Sequence, residues 1–168
     1  TKNGNIFAVA QWYPRMCVYD DAEGWNTLPY LGPSEFYLEY GDFDFSITAP
    51  ASHIVVASVE LQNPAEVLTA GQIKRLAEAK NSDKTVMIRT ESEVTDASSR
   101  PKNSGTLTWK YKMINARDVS WSSSKSFIWD AARINFANGK KSLAQSVYPA
   151  ESAGNNKWGR ATEFTKGS

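Results

Sequence analysis

The residue types that perform chemistry are few here and widely spaced. His53 is the only histidine and Cys17 the only cysteine. One imidazole cannot build a helical HExxH zinc site, and it leaves Ser-His-Asp and Cys-His arrangements without partners of suitable pattern. His53 follows a Pro-Ala-Ser turn and precedes an apolar run, so it reads as a strand-start histidine. The ten glycines are scattered, and no phosphate-cradling loop is formed from them. Carboxylates do pair, at Asp20-Asp21 and at Asp42 with Asp44 near Glu39. On a strand, Asp42 and Asp44 would share a face about 7 Å apart. That spacing suits glycoside hydrolysis or a calcium site. The reading we favour is a solvated strand face, because Phe43 and Phe45 occupy the opposite side.

A denser candidate lies in residues 7–25, FAVAQWYPRMCVYDDAEGW. Gln11, Tyr13 and Arg15 alternate around Trp12, and Pro14 holds Tyr13 extended. If Trp12 points inward, the three polar groups project together. Such a row can present ligand-contacting groups or solubilise an edge strand. The residues leave both open. Six Trp and seven Tyr could build a sugar-binding platform, but Trp109 and Tyr111 share a face with Leu107, as core residues do.

The elements that must position these groups are mostly strands. Residues 5–12 form a continuous apolar run, expected to be a strand buried on both faces. Residues 35–50 alternate, with Phe43, Phe45 and Ile47 on one side, and end at Pro50. Residues 53–61 read as one strand closed by Asn63-Pro64. Thr69 with Gln72 forms the capping box of a short surface helix whose spaced residues are Ile73, Leu76, Ala77 and Lys80. A short strand follows at 85–90. Residues 91–105 read as an exposed loop. Leu107, Trp109, Tyr111 and Met113 share a strand face. Two more strands flank Asn138-Gly139, a hairpin signal, and the tail from Ser152 is polar.

The sum predicts an all-β fold: an antiparallel β-sandwich or related stacked sheets with one or two short helices. The 168 residues fit a single β domain spanning 1–168. A net charge of +1 gives no electrostatic case for nucleic acid. No apolar run reaches the length of a membrane span. The opening TKNGN and closing TKGS suggest an excised fragment.

Several stretches, in order, resemble the N-terminal β domain of M1-family (gluzincin) zinc aminopeptidases of the large bacterial type. They are Gln11-Trp12-Tyr13-Pro14; Tyr19-Asp20 with Gly24-Trp25; EFYLEYGDFD at 35–44; Pro50 and then VVAS at 55–58; NARDVSWSSS at 115–124; and WGRATEF at 158–164. The resemblance implies a saddle-like domain packed on a thermolysin-like catalytic domain. The HExxH zinc site would lie in that absent domain, so zinc is a cofactor of the parent enzyme and this chain alone is expected to be inactive. It further implies that residues of this domain bind the N-terminus of a peptide substrate. Gln11 matches the family's substrate-binding Gln. Tyr13 stands where many members carry a Glu that pairs with the substrate's α-ammonium, and a phenol supplies no charge at neutral pH. Asp20 or Asp21 could compensate. The resemblance also suggests a periplasmic or secreted location. Alternatives are a stand-alone carbohydrate-binding or protein-interaction β-sandwich, including a family member with decayed catalytic machinery.

Overall fold

A computed structural model describes residues 1–29, 32, 37–102, 104–154 and 156–167. Glu35 and Phe36, which open the EFYLEYGDFD stretch, lie outside the described residues. The chain runs through β1 (Phe7–Val9), β2 (Tyr19–Asp20), β3 (Gly24–Trp25), β4 (Gly41–Pro50), β5 (Ile54–Ala57) and β6 (Glu60–Leu61). Helices α1 (Pro64–Val67) and α2 (Ala70–Ala79) follow, then β7 (Val86–Arg89), β8 (Thr106–Ala116), β9 (Trp121–Ser124), β10 (Phe127–Asn135), β11 (Lys141–Pro149) and α3 (Ala161–Gly167). The fold is all-β with antiparallel sheets and short helices, as the patterning predicts.

Three three-stranded sheets, ordered β4-β8-β6, β1-β9-β5 and β11-β10-β7, and the small β2-β3 hairpin make up the architecture. The longest seam pairs β4 with β8, setting Phe45 opposite Tyr111 and Ile47 opposite Trp109. Alternation along both strands sends these side chains to one face, where Trp109 and Tyr111 are buried in the core. Asp44 and Lys112 pair across the other face at 3.6 Å. Each large side chain so buried contributes about 2–3 kcal/mol relative to exposure. The Tyr111 hydroxyl donates to the Val55 carbonyl at 2.9 Å, tying the β4-β8 sheet to β5. The two sheets therefore share one core.

The chain changes sheets between β5 and β6, so the run at 53–61 is two strands rather than one. Ile54–Ala57 is wholly buried and pairs with β9, while Glu60–Leu61 pairs with β8. The crossing is pinned where Ser58 N donates to Ser120 O at 3.0 Å and Ser120 N donates to Ser58 Oγ at 3.0 Å. Helix α2 carries the expected capping box between Thr69 and Gln72. Its buried face is Gln72, Leu76 and Ala79, so Ala77 and Lys80 face outward instead. The β10-β11 hairpin turns at Asn138-Gly139, with Gly139 at a φ of 79°.

Two further expectations need correction. The first concerns residues 5–12. Only Phe7–Val9 form strand, at the edge of a sheet, and Phe7 is 50% exposed. The run has an apolar composition but no second layer among the described residues, so it is not buried on both faces. The second concerns residues 91–105, which are not simply an exposed loop. Ser99 and Arg100 are buried, and the Arg89 guanidinium donates to the carbonyls of Glu93 and Val94 and to Ser99 Oγ. A polar segment is drawn inward here because a buried arginine needs acceptors.

The polar tail also ends in a helix, α3. Its Thr162 is buried against β10 and β11, donating to Asp130 Oδ1 at 2.5 Å and lying 2.8 Å from Ser146 Oγ.

Candidate functional site

Strand β1 ends at Val9, and Gln11 adopts a φ of 55°. That left-handed conformation is uncommon for a residue with a Cβ, and it breaks the strict alternation of a strand. Gln11 is exposed, and among the described residues its side chain makes no hydrogen bond. The expected row of Gln11, Tyr13 and Arg15 is thus divided. Gln11 stands apart at a bend, while the next residues fold down onto β4.

There, Trp12 meets Phe45 edge-on at 5.2 Å and Tyr13 meets Phe43 edge-on at 5.3 Å. Such pairs add about 0.5–1.5 kcal/mol beyond area burial. The Trp12 indole donates to the Val119 carbonyl at 3.3 Å. Trp12 and Tyr13 therefore both pack on the inner face of β4, one residue pair after another.

The polar ends converge on Asp118, in the β8-β9 connection. Tyr13 Oη donates to Asp118 Oδ1 at 2.7 Å, and Arg15 Nη2 donates to Asp118 Oδ2 at 2.8 Å. The Val119 N–H also donates to Asp118 Oδ1 at 2.7 Å. The Arg15 guanidinium lies over the Tyr13 ring, 5.2 Å from its centroid. Burial, then the Asp118 hydrogen bond and charge, push the Tyr13 phenol up to about 12. At neutral pH the phenol is a fixed donor to Asp118 whose oxygen lone pairs remain able to accept. Asp118 was contained in the NARDVSWSSS stretch but had no individual signal as a partner of Tyr13; only the Arg-Asp pair within that motif could have drawn attention to it.

The neighbouring acidic residues have local duties. Asp20 Oδ1 accepts from the Ala22 and Glu23 amides at 3.0 and 2.8 Å, closing the β2-β3 turn, and Gly24 takes a φ of 75°. Tyr19 and Trp25 face each other edge-on at 5.1 Å across this hairpin, and both are exposed. Asp42 Oδ1 accepts from the Asn115 amide at 2.9 Å, where Asn115 has a φ of 58°. Asp42 and Asp44 thus serve the β4-β8 seam.

His53 lies just before β5. Its Nδ1 is 2.9 Å from Ser123 Oγ, and its ring stacks on Phe7 at 6.2 Å. Burial, and then the charges of Lys125 and Arg100, lower its pKa, so it is neutral at pH 7. Cys17 is exposed and unpaired. Among the described residues, no group of three or more His, Cys, Asp or Glu side chains is arranged to hold a metal ion.

No family model matches the chain, and neither curated proteins nor solved structures give a match.

Proposed function

We propose that this chain is the non-catalytic, substrate-cleft part of an M1-type zinc aminopeptidase whose zinc site lies in a separate catalytic domain. The observation that carries the reading is Gln11. An exposed glutamine with no side-chain hydrogen bond among the described residues is held in a left-handed backbone conformation just past the end of an edge strand. Unfavourable backbone geometry tends to be retained where it aims a functional group. Gln11 would hydrogen-bond the peptide backbone of a substrate next to its N-terminus.

Tyr13 then takes part through its phenol oxygen. Its proton is committed to Asp118, so an incoming ammonium meets acceptor lone pairs. The Asp118 charge is balanced by Arg15 at 2.8 Å, which leaves most of the charge recognition to carboxylates of the catalytic domain. Zinc there would activate water for hydrolysis of the first peptide bond. Met16 at 81% and Leu28 at 75% exposure are apolar side chains that a docked domain would cover.

The test is the reading frame beyond Ser168. An HExxH helix within about 150 residues, with a Glu on the following helix, is expected. A stop codon or an unrelated module would overturn the proposal.

The exposed Tyr19-Trp25 pair favours one second reading, a carbohydrate-binding sandwich with these rings as its platform. That reading predicts quenching of Trp25 fluorescence by oligosaccharides and its loss in Trp25→Ala. The aminopeptidase reading predicts no such response.

A further inference from the structure

A groove of about 630 Å³ opens between the end of β4 and the β1-β9-β5 sheet. This is within the range of small-ligand sites. Its apolar walls include Phe7, Ile47 and Trp121, and its polar lining includes Ser52, His53 and Lys125. His53 and Lys125 are its only titratable lining residues, and no acidic side chain is among them. The groove therefore combines an apolar floor with groups that donate hydrogen bonds or carry positive charge.

Three of these groups are poised for a ligand. The Trp121 indole N–H is buried and, among the described residues, has no hydrogen-bond partner, a cost that an acceptor would relieve. Lys125 forms no ion pair among the described residues, and its stem lies against Gly4, where a Cβ would come within 2.6 Å of Lys125 Cε. His53 uses Nδ1 for Ser123 and stacks on Phe7, which leaves Nε2. Nearby Arg100 adds positive charge. It is buried, donates to the carbonyls of Ala51 and Val67, and has an Nη1 with no partner among the described residues. Burial is the first cause of the lowered His53 pKa, and the charges of Lys125 and Arg100 add to it.

We infer that this groove binds a carboxylate carried on an apolar or aromatic body. The carboxylate accepts from the Trp121 indole and pairs with Lys125, while the body lies on Phe7 and Ile47. A carboxylate, acceptor-only, planar and singly charged, complements the Lys125 ammonium and the Trp121 N–H, and the hydroxyls of Ser52 and Thr48 can turn to donate to it. The site belongs to this chain alone and does not depend on the aminopeptidase reading.

The carboxylate could come from a free organic acid or from the C-terminus of a peptide, and a titration followed by NMR distinguishes them. Phenylacetate and acetyl-Ala-Ala-Phe with a free terminus are added in separate arms. Phenylacetamide and the amidated peptide are the neutral controls. Binding shifts the Trp121 indole N–H and the His53 ring signals and raises the His53 pKa. Saturation by both acids supports the site for either source, and saturation by the peptide alone assigns the carboxylate to a chain terminus. Lys125→Gln, an exposed substitution, weakens binding about tenfold, the factor expected for one charge-assisted contact. Trp121→Phe keeps the ring and weakens it less. Equal binding of the neutral controls, affinity unchanged in Lys125→Gln, or no shift up to about 10 mM ligand overturns the inference.

Discussion

Tyr13 and Asp118 are 105 positions apart in the chain and are joined by a hydrogen bond of 2.7 Å. That bond links the segment leaving β1 to the connection between β8 and β9. With the ring of Tyr13 on Phe43 and the guanidinium of Arg15 above it, it fixes the bend from which Gln11 projects.

Tyr13→Phe keeps the ring contact and removes the hydrogen bond. We expect a stability loss of about 1–2 kcal/mol in urea unfolding, as for a bond to a charged acceptor. The same substitution has a pH signature. The folded phenol titrates at about 12 against an ordinary value of 10.0, so its contribution is complete below pH 10 and is lost as pH rises towards 12. Unfolding titrations in alkali should show a shallower decline in Tyr13→Phe than in the parent sequence. An identical decline would remove the bond from the account.

Gln11→Gly should raise stability by about 0.5–1 kcal/mol, because glycine accepts a φ of 55° without a Cβ clash. Gln11→Val, β-branched at the same position, should lower it by about as much or more. Thermal unfolding checks both. Equal midpoints for the two variants would show that the bend is not held in solution.

Asp130 is 1% exposed and accepts from Tyr148 Oη at 2.6 Å and from Thr162 Oγ1. Burial raises its pKa from the ordinary 3.8, against the lowering effect of these two donors. The folded state therefore holds the proton longer than the unfolded chain, and stability from this group falls as pH climbs above 3.8 through the raised value. Asp130→Asn should flatten that slope, while at neutral pH it keeps one of the two acceptor oxygens and turns an NH2 toward the other hydroxyl, at a cost of about 1 kcal/mol. Asp130→Ala strands the Tyr148 hydroxyl and leaves Thr162 only Ser146, and should cost about 2–3 kcal/mol.

Glu93 provides the opposite slope. Hydrogen bonding from Arg75, assisted by the Thr90 amide and hydroxyl, takes its carboxyl down to about 2 from an ordinary 4.5. Its contribution is present above pH 4.5 and is lost as pH falls towards 2. Glu93→Gln should remove this part of the acid unfolding limb, measured by circular dichroism across that range. A limb unchanged in midpoint and slope would contradict the Arg75-Glu93 pair at 2.6 Å.

Local signals made much of this fold legible. The alternation of β4 and β8 and the capping box of α2 each lie within a few residues, and the structure follows them. What was illegible depends on distant partners. Whether Phe7–Val9 is core or edge is decided by what lies beside it, which an apolar run does not encode. Helix α3 has only seven residues, too few for propensity to stand alone, and is held through Thr162 by Asp130 on β10. At the candidate site, Gln11 and Tyr13 could be singled out from their segment, but Asp118 acquires its role only when the β8-β9 connection folds over β4. The left-handed conformation of Gln11 was equally hidden, since glutamine has no preference for it.

The most direct test of the central claim is steady-state hydrolysis of an aminoacyl-anilide by the full-length gene product carrying Gln11→Ala. If Gln11 binds substrate from this domain, KM rises about tenfold, the loss of one or two hydrogen bonds, while kcat stays within about twofold. An unchanged KM would detach Gln11 from the cleft and contradict the account.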